Sequence, residues 1–259
     1  MIDYKKLKHT INKEYLIDVL KIEKNLESTQ GNVYMVYTKN NKYVLKIYDD
    51  LNHTKSMTKL HNDLCSKFNI PGVIKNKDDK LYINFNSKYL VLYSFLDGIQ
   101  IGKIGLNNEL VKKIAKELRR LHDSTKVNSY NLNNVPFNDY KLKRKSLLHF
   151  DLTKGNIFYN ENKIGFIDFD DAKYGSSVCD IAILISLLFF SKKRGVDIDN
   201  MNLFIDAYYN SDTKLKKEEI KYIKEIAIKW INHTLENNDI NPSTNESFKI
   251  KKKLIEEYL

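Results

Sequence analysis

The chain of 259 residues is 42% hydrophobic and 29% charged, with three prolines and nine glycines; this suits a soluble globular protein and leaves little room for disordered linkers. The net charge of +10 is spread out, with 16 Lys+Arg against 10 Asp+Glu in residues 1–96 and 27 against 23 in residues 97–259, so no localised basic stripe and no nucleic-acid partner are expected. Cys65 and Cys179 stand outside any CxxC pair, the first residues lack the apolar core of a signal peptide, and the longest apolar stretch, Ile181 to Phe190, is too short for a bilayer; a reduced, cytoplasmic protein with no membrane partner is expected.

Apolar residues recur with helical spacing over 11–20. A meander follows, with strands predicted over 22–26, 33–37 and 43–48, a turn over 27–32 and a hairpin loop over 39–42. Residues 53–68 place Met57, Leu60, Leu64 and Phe68 on one helical face, and Pro71-Gly72 ends the pattern. Two further strands are predicted over 80–85 and 88–95. Five antiparallel strands with one inserted helix make a small α+β lobe over residues 1–96. From Asp97-Gly98 onward the pattern turns helical, with helices predicted over 107–122, 178–192, 199–210, 214–238 and 246–258. Residues 97–259 therefore read as a mainly helical second lobe.

The polar residues of most chemical interest lie between residues 147 and 172. His149-x-Asp151 follows the apolar pair Leu147-Leu148, Asn156 comes five residues after Asp151, and the apolar run Ile164 to Ile167 delivers Asp168. Polar residues at the ends of buried strands are held where those strands emerge. A carboxylate, a carboxamide and a second carboxylate gathered in this way suit proton acceptance beside a hard divalent cation.

These motifs, His149-x-Asp151-x-x-x-x-Asn156, then Ile167-Asp168-Phe169-Asp170, then Cys179-Asp180-Ile181-Ala182, resemble those of the aminoglycoside phosphotransferase and choline kinase family. Ile114 to His122 resembles the helix that precedes the family's catalytic region. The resemblance runs from about residue 24 to 210. It implies a two-lobed, protein-kinase-like α+β fold and an ATP- or GTP-dependent, Mg²⁺-dependent transfer of a γ-phosphoryl group to a small-molecule hydroxyl. It implies that Asp151 accepts or orients the hydroxyl proton, that Asn156 and Asp168 hold Mg²⁺, and that His149 and Asp180 support the loop. By the same resemblance Lys46 meets the nucleotide phosphates, Ser28, Gly31 and Asn32 belong to the phosphate-covering turn, and Ser94, Phe95 and Leu96 meet the adenine. On its own strand Lys46 shares a face with Val44 and Tyr48, a setting that calls for an anionic partner.

Three departures qualify the match. Kinases pair this lysine with a helix glutamate, yet no Glu occurs between Glu27 and Glu109, which leaves Asp63 as the candidate partner on the 53–68 helix. Phe150 stands where many family members have Gly. The interval between His122 and His149 is short for an acceptor pocket, and its basic run Lys141 to Lys145 reads as a solvated loop or as an attractor for an anion. Asp170 and Asp171 are candidate acids for a cationic acceptor such as an aminoglycoside-like antibiotic; choline and homoserine are metabolite alternatives. A catalytically weak kinase-fold binding module is the main competitor. Asp168-Phe-Asp-Asp-Ala also resembles the opening of haloacid-type phosphatases, with Ala172 in place of their Thr, and ranks lower.

Overall fold

Asp3 starts the first helix, α1 (Tyr4–Tyr15), by accepting from the Lys5 and Lys6 backbone N–H groups at 2.9 and 3.1 Å. Its buried residues Leu7, Ile11 and Tyr15 recur every four positions. In this computed structural model residues 3–25, 32–125, 127–136, 142, 144–210, 212–237 and 242–259 are described. The chain divides into two compact units, Met1–Asp97 and Gly98–Leu259.

In the first unit β1 (Lys21–Lys24), β2 (Val33–Tyr37), β3 (Lys42–Tyr48), β4 (Ile83–Phe85) and β5 (Lys88–Ser94) form one antiparallel sheet in the order β1-β2-β3-β5-β4. Alternation along the strands gives the sheet two apolar faces. One carries Tyr34, Val36, Leu45, Ile47, Leu90 and Leu92 and packs with Leu7, Ile11 and Tyr15 of α1. The other carries Tyr48, Val91 and Tyr93, with Val44 and Tyr89 against them. Helix α2 (Leu51–Leu64), capped by Asp50, sets the His61 ring 4.7 Å from that of Tyr93.

The unit thus holds both helices that the spacing predicts, the inserted one nearly in place and the first displaced. The helical spacing over 11–20 misplaces α1, because Leu16 takes φ +53° and ends the helix there. Leu16 and Leu20 are left 75% and 58% exposed, while Val19 enters the core. The strand expected from residue 80 begins at Ile83, because the Asn76 side chain accepts from Asp78 N and Lys80 N at 3.0 and 2.8 Å and holds that segment in a turn.

In the second unit β6 (Ile99–Gln100) leads into a single helical turn, α3 (Ile101–Ile104), and then α4 (Asn108–Ser124), capped by Asn107. Strand β7 (Lys145–Leu148) pairs antiparallel with β10 (Lys173–Ser176). β8 (Ile157–Asn160) and β9 (Lys163–Phe166) form a hairpin whose two turn residues, Glu161 and Asn162, both have positive φ. α5 (Val178–Leu188) is buried almost throughout, so a periodic stripe is absent and its end was hard to read. It stops short of the expected residue 192 because β11 (Phe190–Ser191) and β12 (Gly195–Val196) form a small hairpin. α6 (Ile198–Tyr209), α7 (Thr213–Glu219), α8 (Ile223–Asn237) and α9 (Pro242–Tyr258) complete the unit. The helix expected over 214–238 is divided by a 3₁₀ turn at Ile220–Tyr222, and α9 begins at a proline, which suits a first helical position. Among the described residues no helix is long and apolar enough to cross a membrane.

Candidate active site

β7 delivers His149, Phe150 and Asp151 at its end, and the loop they open is held from three sides. The Asp180 carboxylate, at the start of α5, accepts from His149 N at 2.7 Å and from Phe150 N at 2.8 Å. His149 Nε2 donates to the Ile167 carbonyl at 2.8 Å, which leaves Nδ1 facing the Asp151 N–H at 3.4 Å. The His149 ring lies 4.4 Å from that of Phe169 and is fully buried, so it braces the loop and meets no solvent. Asn156 closes the third side, its Nδ2 donating to both the backbone oxygen and Oδ2 of Asp151 at 2.9 Å. The Asn156 carbonyl in turn accepts from Ile167 N at 3.0 Å, tying the loop to the chain just before Asp168.

Two backbone positions are costly. Phe150 and Asp168 both have φ +67°, a left-handed conformation that side chains disfavour by roughly 1 kcal/mol or more. At Phe150 this explains why glycine suits the position. The pair of N–H bonds to Asp180 and the burial of the phenyl ring offset the cost.

Burial pushes the Asp151 carboxyl above the ordinary carboxylate range. His149 opposes that rise, Asp171 and Asp168 add to it, and the Asn156 hydrogen bond works against it. Asp171 is exposed on the 3₁₀ turn Phe169–Asp171, and Asp170 is half-buried on the same turn. Asp168 and Asp171 are therefore close enough for Asp151 to feel their charge. Among the described residues no three His, Cys, Asp or Glu side chains gather at metal-ligand spacing. A single carboxylate with a carboxamide oxygen is still a fitting partial set for a hard cation that keeps waters and phosphate oxygens as its other ligands. Asn156 commits its nitrogen to Asp151, so its Oδ1 is the atom left to offer.

In the first unit Lys46 lies mid-strand, opposite Val33 on β2 and Val91 on β5, and is half-buried. Asp63 does not reach it as an ion-pair partner. It is exposed on α2, hydrogen-bonds only the adjacent Asn62 side chain at 3.4 Å, and forms no ion pair among the described residues. The buried face of α2 presents Thr54, Met57, Thr58 and His61, and position 63 falls off that face. Ser28 and Gly31 lie outside the described residues; Asn32 is described, its carbonyl accepting from Ile47 N at 3.1 Å. Ser94 ends β5 with its hydroxyl accepting from Gly72 N at 2.8 Å, so its side chain is engaged within the unit. Phe95 lies under Lys42, whose Nζ is 4.2 Å from the ring centre, and Leu96 is half-buried beside it in sequence.

Two expectations fail. The haloacid-type resemblance needs a parallel strand before Asp168, yet β9 pairs antiparallel with β8. The basic run before β7 is not simply a solvated loop: Lys141 and Lys143 lie outside the described residues, but Arg144 is half-buried and paired with Glu219 at 3.1 Å. His122 was legible only as a helix residue. Its register with Leu118 and Ala115 on the apolar face of α4 marks it as buried, and a buried imidazole needs partners. It has them in Asp180 and Tyr208, at 3.2 and 2.7 Å.

Residues 129–203 match the model of a family described as the phosphotransferase enzyme family, a span that includes Asp151, Asn156, Asp168 and Asp180. The Protein LicA homolog of Mycoplasma capricolum subsp. capricolum is 27% identical over 239 residues, covering 88% of this chain and 79% of that protein. Amicoumacin kinase hAmiN, solved with AMP-PNP and Ca²⁺, superposes with a TM-score of 0.76 at 15% identity, over 99% of this chain and 94% of the other. The choline kinase of Cryptosporidium parvum Iowa II superposes with a TM-score of 0.70 at 12% identity, over 98% and 96%. The chain thus has the protein-kinase-like fold of small-molecule kinases, and its motif-bearing stretch resembles the phosphotransferase family in sequence as well. Together these findings support a phosphotransferase acting on small-molecule hydroxyls.

Proposed function

We propose that this chain, similar in fold and motifs to the aminoglycoside phosphotransferases and choline kinases, transfers the γ-phosphoryl group of ATP to a hydroxyl of a small molecule. The acceptor is an aminoglycoside-like antibiotic or a metabolite such as choline or homoserine. One observation carries this reading. The Asp151 carboxylate is fixed by Asn156 at 2.9 Å on a loop pinned by Asp180, and burial raises its proton affinity. A carboxylate with raised proton affinity is a better acceptor for a hydroxyl proton near neutral pH. The shared field of Asp168 and Asp171, which adds to that rise, is the field a divalent cation relieves.

In this reading Asp151 orients the acceptor hydroxyl and takes its proton. Asn156, through Oδ1, and Asp168 hold Mg²⁺, which when bound neutralises charge on the phosphates. Lys46 in the first unit serves the phosphates, and Asn32, with Ser28 and Gly31, belongs to the turn that covers them. Phe95 and Leu96, after Ser94, serve the base through the backbone. Asp170 and Asp171 supply negative charge toward a cationic acceptor. Residues 1–96 form the nucleotide-binding part and residues 97–259 the catalytic and acceptor part.

Nucleotide binding with and without Mg²⁺ tests the ligand assignment. Asp168→Ala should leave metal-free nucleotide affinity within about twofold and lose most of the Mg²⁺-dependent gain. Retention of that gain would remove Asp168 from the metal set. ATP consumption against aminoglycosides, choline, ethanolamine and homoserine then identifies the acceptor.

A further inference from the structure

Asp180 is the end of a longer buried chain. Its first link is His122 on α4, whose Nε2 lies 3.2 Å from Asp180 Oδ2. His122 Nδ1 lies 2.7 Å from the Tyr208 hydroxyl on α6. Arg144 Nη2 lies 2.8 Å from the same hydroxyl and 3.1 Å from Glu219 Oε2, at the end of α7. Arg144 Nε reaches Glu219 Oε1 at 3.4 Å, and the Tyr209 hydroxyl donates to Glu219 Oε2 at 2.9 Å. His122, Asp180 and Tyr208 are fully buried and Glu219 nearly so.

The donors order themselves. A guanidinium only donates, so Arg144 gives a proton to the Tyr208 oxygen. Tyr208 then gives its own proton to His122 Nδ1. That places the ring proton of His122 on Nε2, where it donates to Asp180. The reverse tautomer would set an imidazole lone pair against the Asp180 carboxylate. Burial also lowers the His122 pKa, against the pull of Asp180, so the ring is neutral as this ordering needs.

The chain closes around one element. Arg144 immediately precedes β7, and the His149 and Phe150 N–H groups immediately follow it. β7 is only four residues long, so anchoring both its ends fixes the strand that presents Asp151. A buried ion pair is poor evidence for stability, because desolvation offsets much of the attraction. A pair joined by directed hydrogen bonds to a catalytic loop is better suited to holding one geometry.

We infer that Arg144 and Glu219 are positioning residues for the catalytic loop, acting through Tyr208, His122 and Asp180. This rests on Asp151 being the group that meets the acceptor hydroxyl. The test is Tyr208→Phe in the full chain, which removes the one oxygen that links Arg144 to His122 while keeping the ring. Arg144→Met with Glu219→Gln is the second variant, chosen because it strands no buried charge. Both should lower kcat about tenfold or more with nucleotide and acceptor KM within about twofold, and should speed amide exchange at His149 and Phe150 about tenfold. In Tyr208→Phe the Nδ1 signal of His122 should shift on loss of its hydrogen-bond donor, while Nε2 keeps its proton toward Asp180. Unchanged turnover and unchanged exchange in the folded variants would overturn the inference, as would a loss of activity that only tracks the folded fraction. If the native chain phosphorylates no acceptor, the phosphotransferase reading fails on its own; amide exchange and the His122 Nδ1 signal then decide the network separately.

Discussion

At the scale of single residues, Asp151 sets function against stability. Its folded-state pKa is raised, so the carboxyl binds protons more tightly folded than unfolded. Its contribution to stability is complete below the unfolded value and is lost as pH rises through the raised one. At neutral pH the ionised group therefore destabilises the metal-free chain. Asp151→Asn should raise the melting temperature at pH 7 in the absence of divalent cations, and an unchanged or lower Tm would argue against the burial penalty. Phe150 poses a second contest. Replacing it by Gly relieves roughly 1 kcal/mol of left-handed strain but deletes a buried phenyl ring, a loss of about 3–5 kcal/mol for Phe→Ala in other cores. Packing should win, and denaturant unfolding of Phe150→Gly should show a loss of about 2 kcal/mol or more. The pairing of Asp151 with Asn156 was legible because their spacing is local. The positive φ at Phe150 was hinted at only by the glycine that relatives prefer there.

At the scale of elements, the sheet of the first unit was legible strand by strand, since alternation and hairpin chemistry are short-range signals. Where a boundary moved, a side chain had captured backbone groups, as Asn76 does ahead of β4, or a residue had left the helical region, as Leu16 does after α1. The hairpin β11–β12 was missed because the apolar run of α5 continues through Phe189 and Phe190 into its first strand. Between α4 and α5 the contact that matters is polar. His122 is held neutral by burial, with its pKa below the ordinary 6.5. A depressed pKa contributes stability above the unfolded value, which is lost as pH falls through the folded one, at up to about 1.4 kcal/mol per pH unit. The chain should therefore lose stability as pH drops below about 6.5, and His122→Gln should flatten that slope. A slope identical in the variant would show that other groups govern the acid limb.

For the whole molecule, three motifs in the right order carried the fold class, and the structure supplies the antiparallel five-stranded sheet and the helical second unit that go with it. The positioning network was not legible. Arg144 and Glu219 are 75 positions apart, and no local pattern announces a partnership of that span. Arg144 even read as part of a basic run, because charge composition does not say which member of a run turns inward to a partner. The missing helix glutamate was legible at once from the absence of Glu between Glu27 and Glu109, whereas Asp63 as its substitute failed because it lies off the buried face of α2. The proposed phosphoryl transfer to a small-molecule hydroxyl turns on Asp151. Steady-state turnover of the identified acceptor by the native chain and by Asp151→Asn, with nucleotide affinity measured alongside, tests it most directly. In Asp151→Asn kcat should fall about a hundredfold or more with nucleotide affinity nearly unchanged. Equal turnover by the two proteins would contradict it.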